Sequence, residues 1–164
     1  MQGSGRETQV FLCAIALSLA LQLLYLPAPL GPLKPWFLGM VICYYVLEQP
    51  RFIGLGRAFL IGLTADALNG ALFGEQAFRL CIMTYLLLRF RNRLRFFPLW
   101  QQTALIGLLF LNDCILALWI RLLGTISQPG FAFWLTPLTA AFLWPFLFVV
   151  LDRTRRWRRR APRL

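Results

Sequence analysis

Few residues in this chain have chemistry to offer. Asp66 and Asp113 are carboxylates set inside apolar runs, Arg79 lies near the start of another, and Asn69 and Asn112 sit close to the two acids. A charged side chain at the centre of a bilayer costs at least ~2.5–3.5 kcal/mol, so it normally has a partner or a function. Two intramembrane carboxylates can relay protons or hold a cation. Here they come without a paired-carboxylate motif, a phosphate-binding loop or a nucleophile beside a base, which argues against catalysis. The chain contains no histidine, the commonest general base. Cys13, Cys43, Cys81 and Cys114 are scattered through apolar runs without a CxxC pair. They read as small buried hydrophobes, not metal ligands. No enzyme activity, cofactor or metal is expected.

The elements that must position these residues are membrane helices. Hydrophobic residues make up 59% of the 164 and charged residues only 14%, against roughly 45–50% and about 25% in a soluble domain. A chain of this size cannot hide that much apolar surface from water, so lipid is the solvent for most of it. A spanning helix needs about 20 apolar residues, or roughly 17–25. Six segments are predicted, over residues 10–26, 36–47, 53–73, 77–90, 100–120 and 131–151. The second is short: its 12 residues reach ~18 Å at ~1.5 Å per residue. The apolar run from Val10 is read as a retained first helix and not a cleaved signal, because further spans follow. One all-α integral membrane domain over residues 1–164 is expected, ending in a basic tail over residues 152–164.

The net charge of +11 is clustered. Seven arginines fall in the final twelve residues and four more in "RFRNRLR" at residues 89–95. With six spans and both termini cytoplasmic, every Lys and Arg except Lys34, Arg79 and Arg121 lies on the inner side, as the positive-inside rule requires. Trp36, Trp100, Trp119 and Trp134 fall at span ends, where amphipathic rings prefer to sit. A basic tail beside a membrane meets anionic lipid at ~1 kcal/mol per charge, and nucleic acid is not expected as a partner.

Within "LIGLTADALNGALFGEQ", at residues 60–76, small residues recur every fourth position around Asp66. Ala58, Gly62, Gly70 and Gly74 share its helical stripe, and such stripes let membrane helices pack backbone to backbone. Asp66 therefore faces protein, and the stripe is a helix-packing or partner interface. Counted from the inner face, Asp66 and Asp113 lie at similar depth, ~20 Å up, and Arg79 enters from the outer face. A polar cluster of Asp66, Asn69, Arg79, Asn112 and Asp113 is sterically possible. The alternative is that Asp66 caps or hydrogen-bonds a broken helix near its own glycines.

The pattern Gly62, Leu63, Asp66, Asn69, Gly70, Leu72, Gly74 resembles the central signature of the rod shape-determining MreD family. Trp100, Gln101 and Gln102 in "LWQQ", and Trp144 and Pro145 in "LWP", also resemble that family. The arginine tail is more basic than the family pattern. The resemblance covers nearly the whole chain. It implies a non-enzymatic subunit of the bacterial elongation machinery in the inner membrane, beside an MreC-like single-span protein. Further implied partners are RodA with its transpeptidase and, indirectly, MreB filaments. The family fold is similar to the substrate-binding subunits of energy-coupling-factor transporters. That supplies the rival expectation, a membrane subunit binding a vitamin-type small molecule near Asp66, Arg79 and Asp113.

Overall fold

A computed structural model describes residues 3–23, 35–70, 74–94, 96–123 and 131–160. The described residues form six α-helices and no strand: α1 (Gly3–Leu23), α2 (Phe37–Glu48), α3 (Leu55–Asn69), α4 (Glu75–Leu94), α5 (Leu99–Leu123) and α6 (Thr136–Arg160). A short 3-10 helix, Phe131–Leu135, leads into α6. Leu99–Leu123 and Phe133–Thr154 are each long and apolar enough to cross a membrane, and Thr8–Leu23 and Phe37–Glu48 are shorter apolar helices.

Helix boundaries depart from the apolar runs for local reasons. The third run was expected to span residues 53–73, but α3 stops at Asn69 because Gly70 turns left-handed at φ 60°, with its N–H donating to the Asp66 carbonyl. Glycine is the residue that adopts this conformation without a Cβ penalty. Residues 71–73, including Leu72 of the family-like pattern, lie outside the described residues, as do residues 24–26, Lys34 and residues 161–164 of the tail. Helix α4 starts earlier and ends later than residues 77–90, since arginine is a good helix former and leaving the apolar layer does not end a helix. By the same reasoning α6 carries its backbone helix through the arginine run to Arg160.

Contacts between helices fix their directions. Phe11 near the start of α1 packs edge-on against Tyr45 near the end of α2, with ring centroids 4.9 Å apart. At the other end of α1, Gln22 donates to Gln76 at the start of α4. Helices α2 and α4 run parallel, since Cys43 meets Met83 at 3.6 Å and Arg91 Nε donates to the Leu47 carbonyl at 3.0 Å. Helices α5 and α6 run antiparallel, with Gly107 against Ala141 and Cys114 near Phe133. Successive helices therefore alternate in direction. The N-terminal end of α1 and the C-terminal end of α6 lie at one end of the bundle, with Arg89, Arg91 and Arg93.

The core is built around α2. Every residue from Leu38 to Leu47 is buried, which is how a helix that is apolar on all faces behaves inside a larger assembly. Its short length is compatible with that role because neighbours cover it from Leu38 to Leu47. Arg91 donates to the Leu47 carbonyl in its last turn, at a helix terminus that favours cations. The outward faces of α5 and α6 are apolar and open, as Leu108 (60% exposed), Phe142 (73%) and Val150 (60%) show.

Candidate functional site

Asp66 stands on the last turn of α3 and is fully buried. Its carboxylate accepts three backbone N–H groups at the start of α4: Gly74 at 3.0 Å, Gln76 at 2.8 Å and Ala77 at 3.3 Å. The first N–H groups of a helix have no partner within it and carry the positive end of the helix dipole. A carboxylate supplied from the preceding helix answers both needs. The arrangement is a cap, with the capping residue borrowed from across a turn. Asn69 spends its amide locally, donating to the Ala65 carbonyl at 2.7 Å.

This contact requires close approach, which the small-residue stripe provides. Gly62 lies so near α4 that a Cβ there would fall 2.3 Å from the Ala77 Cα and 2.7 Å from its N. Ala58 is buried on the same face. Gly70 and Gly74 have φ of 60° and 101° and nothing within 4 Å of their Cβ positions. They serve the turn, and the helix-packing part of the stripe is Ala58 and Gly62.

Arg79 lies one turn into α4 and points to α5. Its Nε donates to Asp113 Oδ1 at 2.8 Å and its Nη2 to Oδ2, a two-pronged pairing that suits the planar guanidinium. Nη1 reaches Glu75 at 3.4 Å. The guanidinium carbon lies 4.6 Å from the centroid of the Trp36 ring, within cation–π range. The five polar residues expected as one cluster therefore separate. Arg79 and Asp113 bridge α4 to α5, Asp66 holds the backbone of α4 to α3, and Asn69 turns back on its own helix. Asn112 faces a different groove, shared with Leu86, Phe90 and Arg93. The depth argument fixes height along the bundle but not the direction in which each side chain points.

Two hollows adjoin these residues. A polar one of about 350 Å³ is lined by Gln22, Trp36, Gln76, Arg79 and Arg121 among others, at the end where α4 begins. Sequence reading missed Gln22, Gln76 and Arg121 as neighbours of Arg79; Gln76 was in plain view beside the glycine stripe. The other is an apolar groove of about 560 Å³ between α4 and α5. Of the family-like motif residues, Trp100 is exposed and Gln101 half-buried, while Gln102 and Trp144 are buried. Pro145 lies inside α6, where it withholds an N–H from the Ala141 carbonyl, next to the point where a Cβ on Gly107 would fall 3.2 Å from the Ala141 Cβ.

The family profile of rod shape-determining protein MreD matches residues 4–154. The chain belongs to the MreD family. The rod shape-determining protein MreD of Haemophilus influenzae is 32% identical over 151 residues, covering 89% of this chain and 88% of that protein. No solved structure matches. MreD proteins are a membrane family concerned with rod shape, and the two long apolar helices α5 and α6 fit that character.

Proposed function

We propose that this MreD-family chain is a non-enzymatic scaffold of the bacterial cell-elongation complex, needed for rod shape and for regulating lateral peptidoglycan synthesis. It spans the inner membrane six times with both termini in the cytoplasm. Its direct partner is an MreC-like single-span protein, and through the assembly it serves RodA, the transpeptidase of RodA and MreB filaments. The alternation of helix direction supports this topology, because it gathers the start of α1, the end of α6 and the arginines of α4 at one end of the bundle.

The observation that carries the scaffold reading is the use made of the buried acids. Asp66 is committed to three backbone amides and Asp113 to Arg79. Each is a structural fastener between helices, which is how a protein whose work is to hold others in place spends its few charges. The rival reading, a substrate-binding subunit of a vitamin-type transporter, is favoured by the polar hollow around Arg79 and Arg121.

Purification of the tagged chain from its own membranes in mild detergent separates the two. Recovery of an MreC-like protein with cell-wall synthases in near-stoichiometric amount supports the scaffold. Recovery of an ATPase module or a stoichiometric small ligand, without such a partner, overturns it.

A further inference from the structure

The groove between α4 and α5 has a shape that selects its occupant. On α4 it runs from Phe97, just beyond the helix, back to Leu86, and on α5 from Leu105 to Ile115. The helical stretches, Leu86–Leu94 on α4 and Leu105–Ile115 on α5, give lengths of ~12 and ~15 Å at ~1.5 Å per residue. These are about half of a ~30 Å hydrocarbon layer, or one leaflet. Toward the other end of the bundle the same seam is pinned by the Arg79–Asp113 pair. A spanning helix, ~10 Å wide and crossing both leaflets, would outrun the groove and meet that pin. A single acyl chain would not.

Charge complementarity supplies the second constraint. Arg93 lines the groove at the arginine-rich end, and no carboxylate lines it anywhere. Arg89, one turn back along α4, is exposed. Among the described residues, neither Arg89 nor Arg93 forms an ion pair, whereas Arg91 is engaged on the Leu47 carbonyl. We infer that the α4–α5 groove is a site for an anionic phospholipid of the inner leaflet, one acyl chain lying along Phe90, Leu105 and Leu108 and the phosphate meeting Arg93. This rests on the reading that the chain spans the inner membrane with the end of α4 in the cytoplasm.

The test uses the full chain in membranes containing phosphatidylglycerol or phosphatidylcholine whose acyl chain carries a photoactivatable group. Labelled residues are mapped by mass spectrometry. Phosphatidylglycerol is expected to label the groove several-fold above the outer face of α6 at Phe142 and Phe146, which serves as an internal control within the same folded molecule. Arg93→Gln should lower groove labelling by phosphatidylglycerol about fivefold, the equivalent of ~1 kcal/mol for one basic residue near the surface. It should leave phosphatidylcholine labelling unchanged. Leu108→Trp should lower labelling by both lipids. Equal labelling of groove and α6 face, indifference to Arg93→Gln, or a second protein covering the groove in native membranes would each overturn the lipid site. Release of the chain from membranes by alkaline carbonate would overturn the membrane reading itself, a result distinct from a membrane-bound chain whose groove shows no preference.

Discussion

Besides its parallel packing against α2, helix α4 meets α3 and α5 through two different kinds of seam. Against α3 it is closed at atomic range, with the Ala77 backbone where a Gly62 side chain would be and with its first amides held by Asp66. Against α5 it is pinned at one point, Arg79 on Asp113, and splays into an apolar groove beyond. The first seam combines van der Waals contact with backbone hydrogen bonding, the forces available where lipid removes the hydrophobic drive for helices to associate. The second relies on one ion pair, which holds two helices without requiring them to touch along their length. An α3–α4 hairpin so built is the rigid part of the bundle, and the α4–α5 seam is where something else can enter.

The sharpest way to break this contrast is to keep α3 and α4 apart. Gly62→Leu places a branched side chain into the Ala77 backbone, and overpacking costs ~1–3 kcal/mol or more when neither side can yield. Here the obstacle is main chain that cannot yield, so a loss beyond that range, up to failure to fold, is expected. The check is thermal unfolding of the purified protein in detergent, with loss of folded yield as the extreme result. A wild-type melting curve would show that the two helices are not in backbone contact.

Removing the pin of the second seam should cost nearly as much. Arg79→Leu leaves Asp113 buried without its partner, a change worth ~3–5 kcal/mol for a buried pair. Arg79→Leu with Asp113→Leu should recover much of that loss, because it removes both charges. The double variant therefore distinguishes a lost attraction from a stranded charge, and calorimetric or fluorescence-monitored melting of all three proteins reads it. If the double variant is as unstable as the single one, the bridge is not what holds α5.

Asp66→Asn tests the borrowed cap. The amide keeps one acceptor oxygen but turns an N–H₂ toward backbone donors, and a hydrogen bond to a charged group contributes ~1.5–3 kcal/mol. A loss of about 2 kcal/mol is expected, smaller than for Arg79→Leu. Hydrogen exchange should quicken at the amides of Gln76 and Ala77, whereas those near Asp113 should be unaffected. Unchanged exchange would mean that Asp66 does not hold the start of α4.

These contrasts were unequally visible in the sequence. Ala58, Gly62 and Asp66 share a face because of a simple period of four, and that period is written in residue types. What Asp66 meets is not, because its partners are backbone amides, which every residue carries. The fate of Asn112 was hidden for another reason. Apart from Arg93, the residues lining its groove with it are leucine, isoleucine and phenylalanine, and apolar residues facing a gap look the same as apolar residues facing each other. The end of α3 was obscured because Gly70 reads equally as a packing residue and as a helix stop; its φ of 60° decides for the stop. Charge clusters were easier, since their side is set by the whole membrane and not by a neighbour.

The smallest expected effect sharpens the comparison through one chemical change made twice on the same helix. Gly56→Ala adds a methyl in the first turn of α3 where nothing lies within 4 Å, and Gly62→Ala adds the same methyl 2.3 Å from the Ala77 Cα. Intrinsic helix propensity favours both by up to ~1 kcal/mol, less near a helix end. Gly56→Ala should therefore be neutral or stabilising by a few tenths of a kcal/mol, and Gly62→Ala destabilising despite the same gain. Melting temperatures of the two variants, measured side by side, report the sign directly. Opposite signs locate the closed seam at Gly62; equal signs would mean that α3 touches α4 no more closely than it touches lipid.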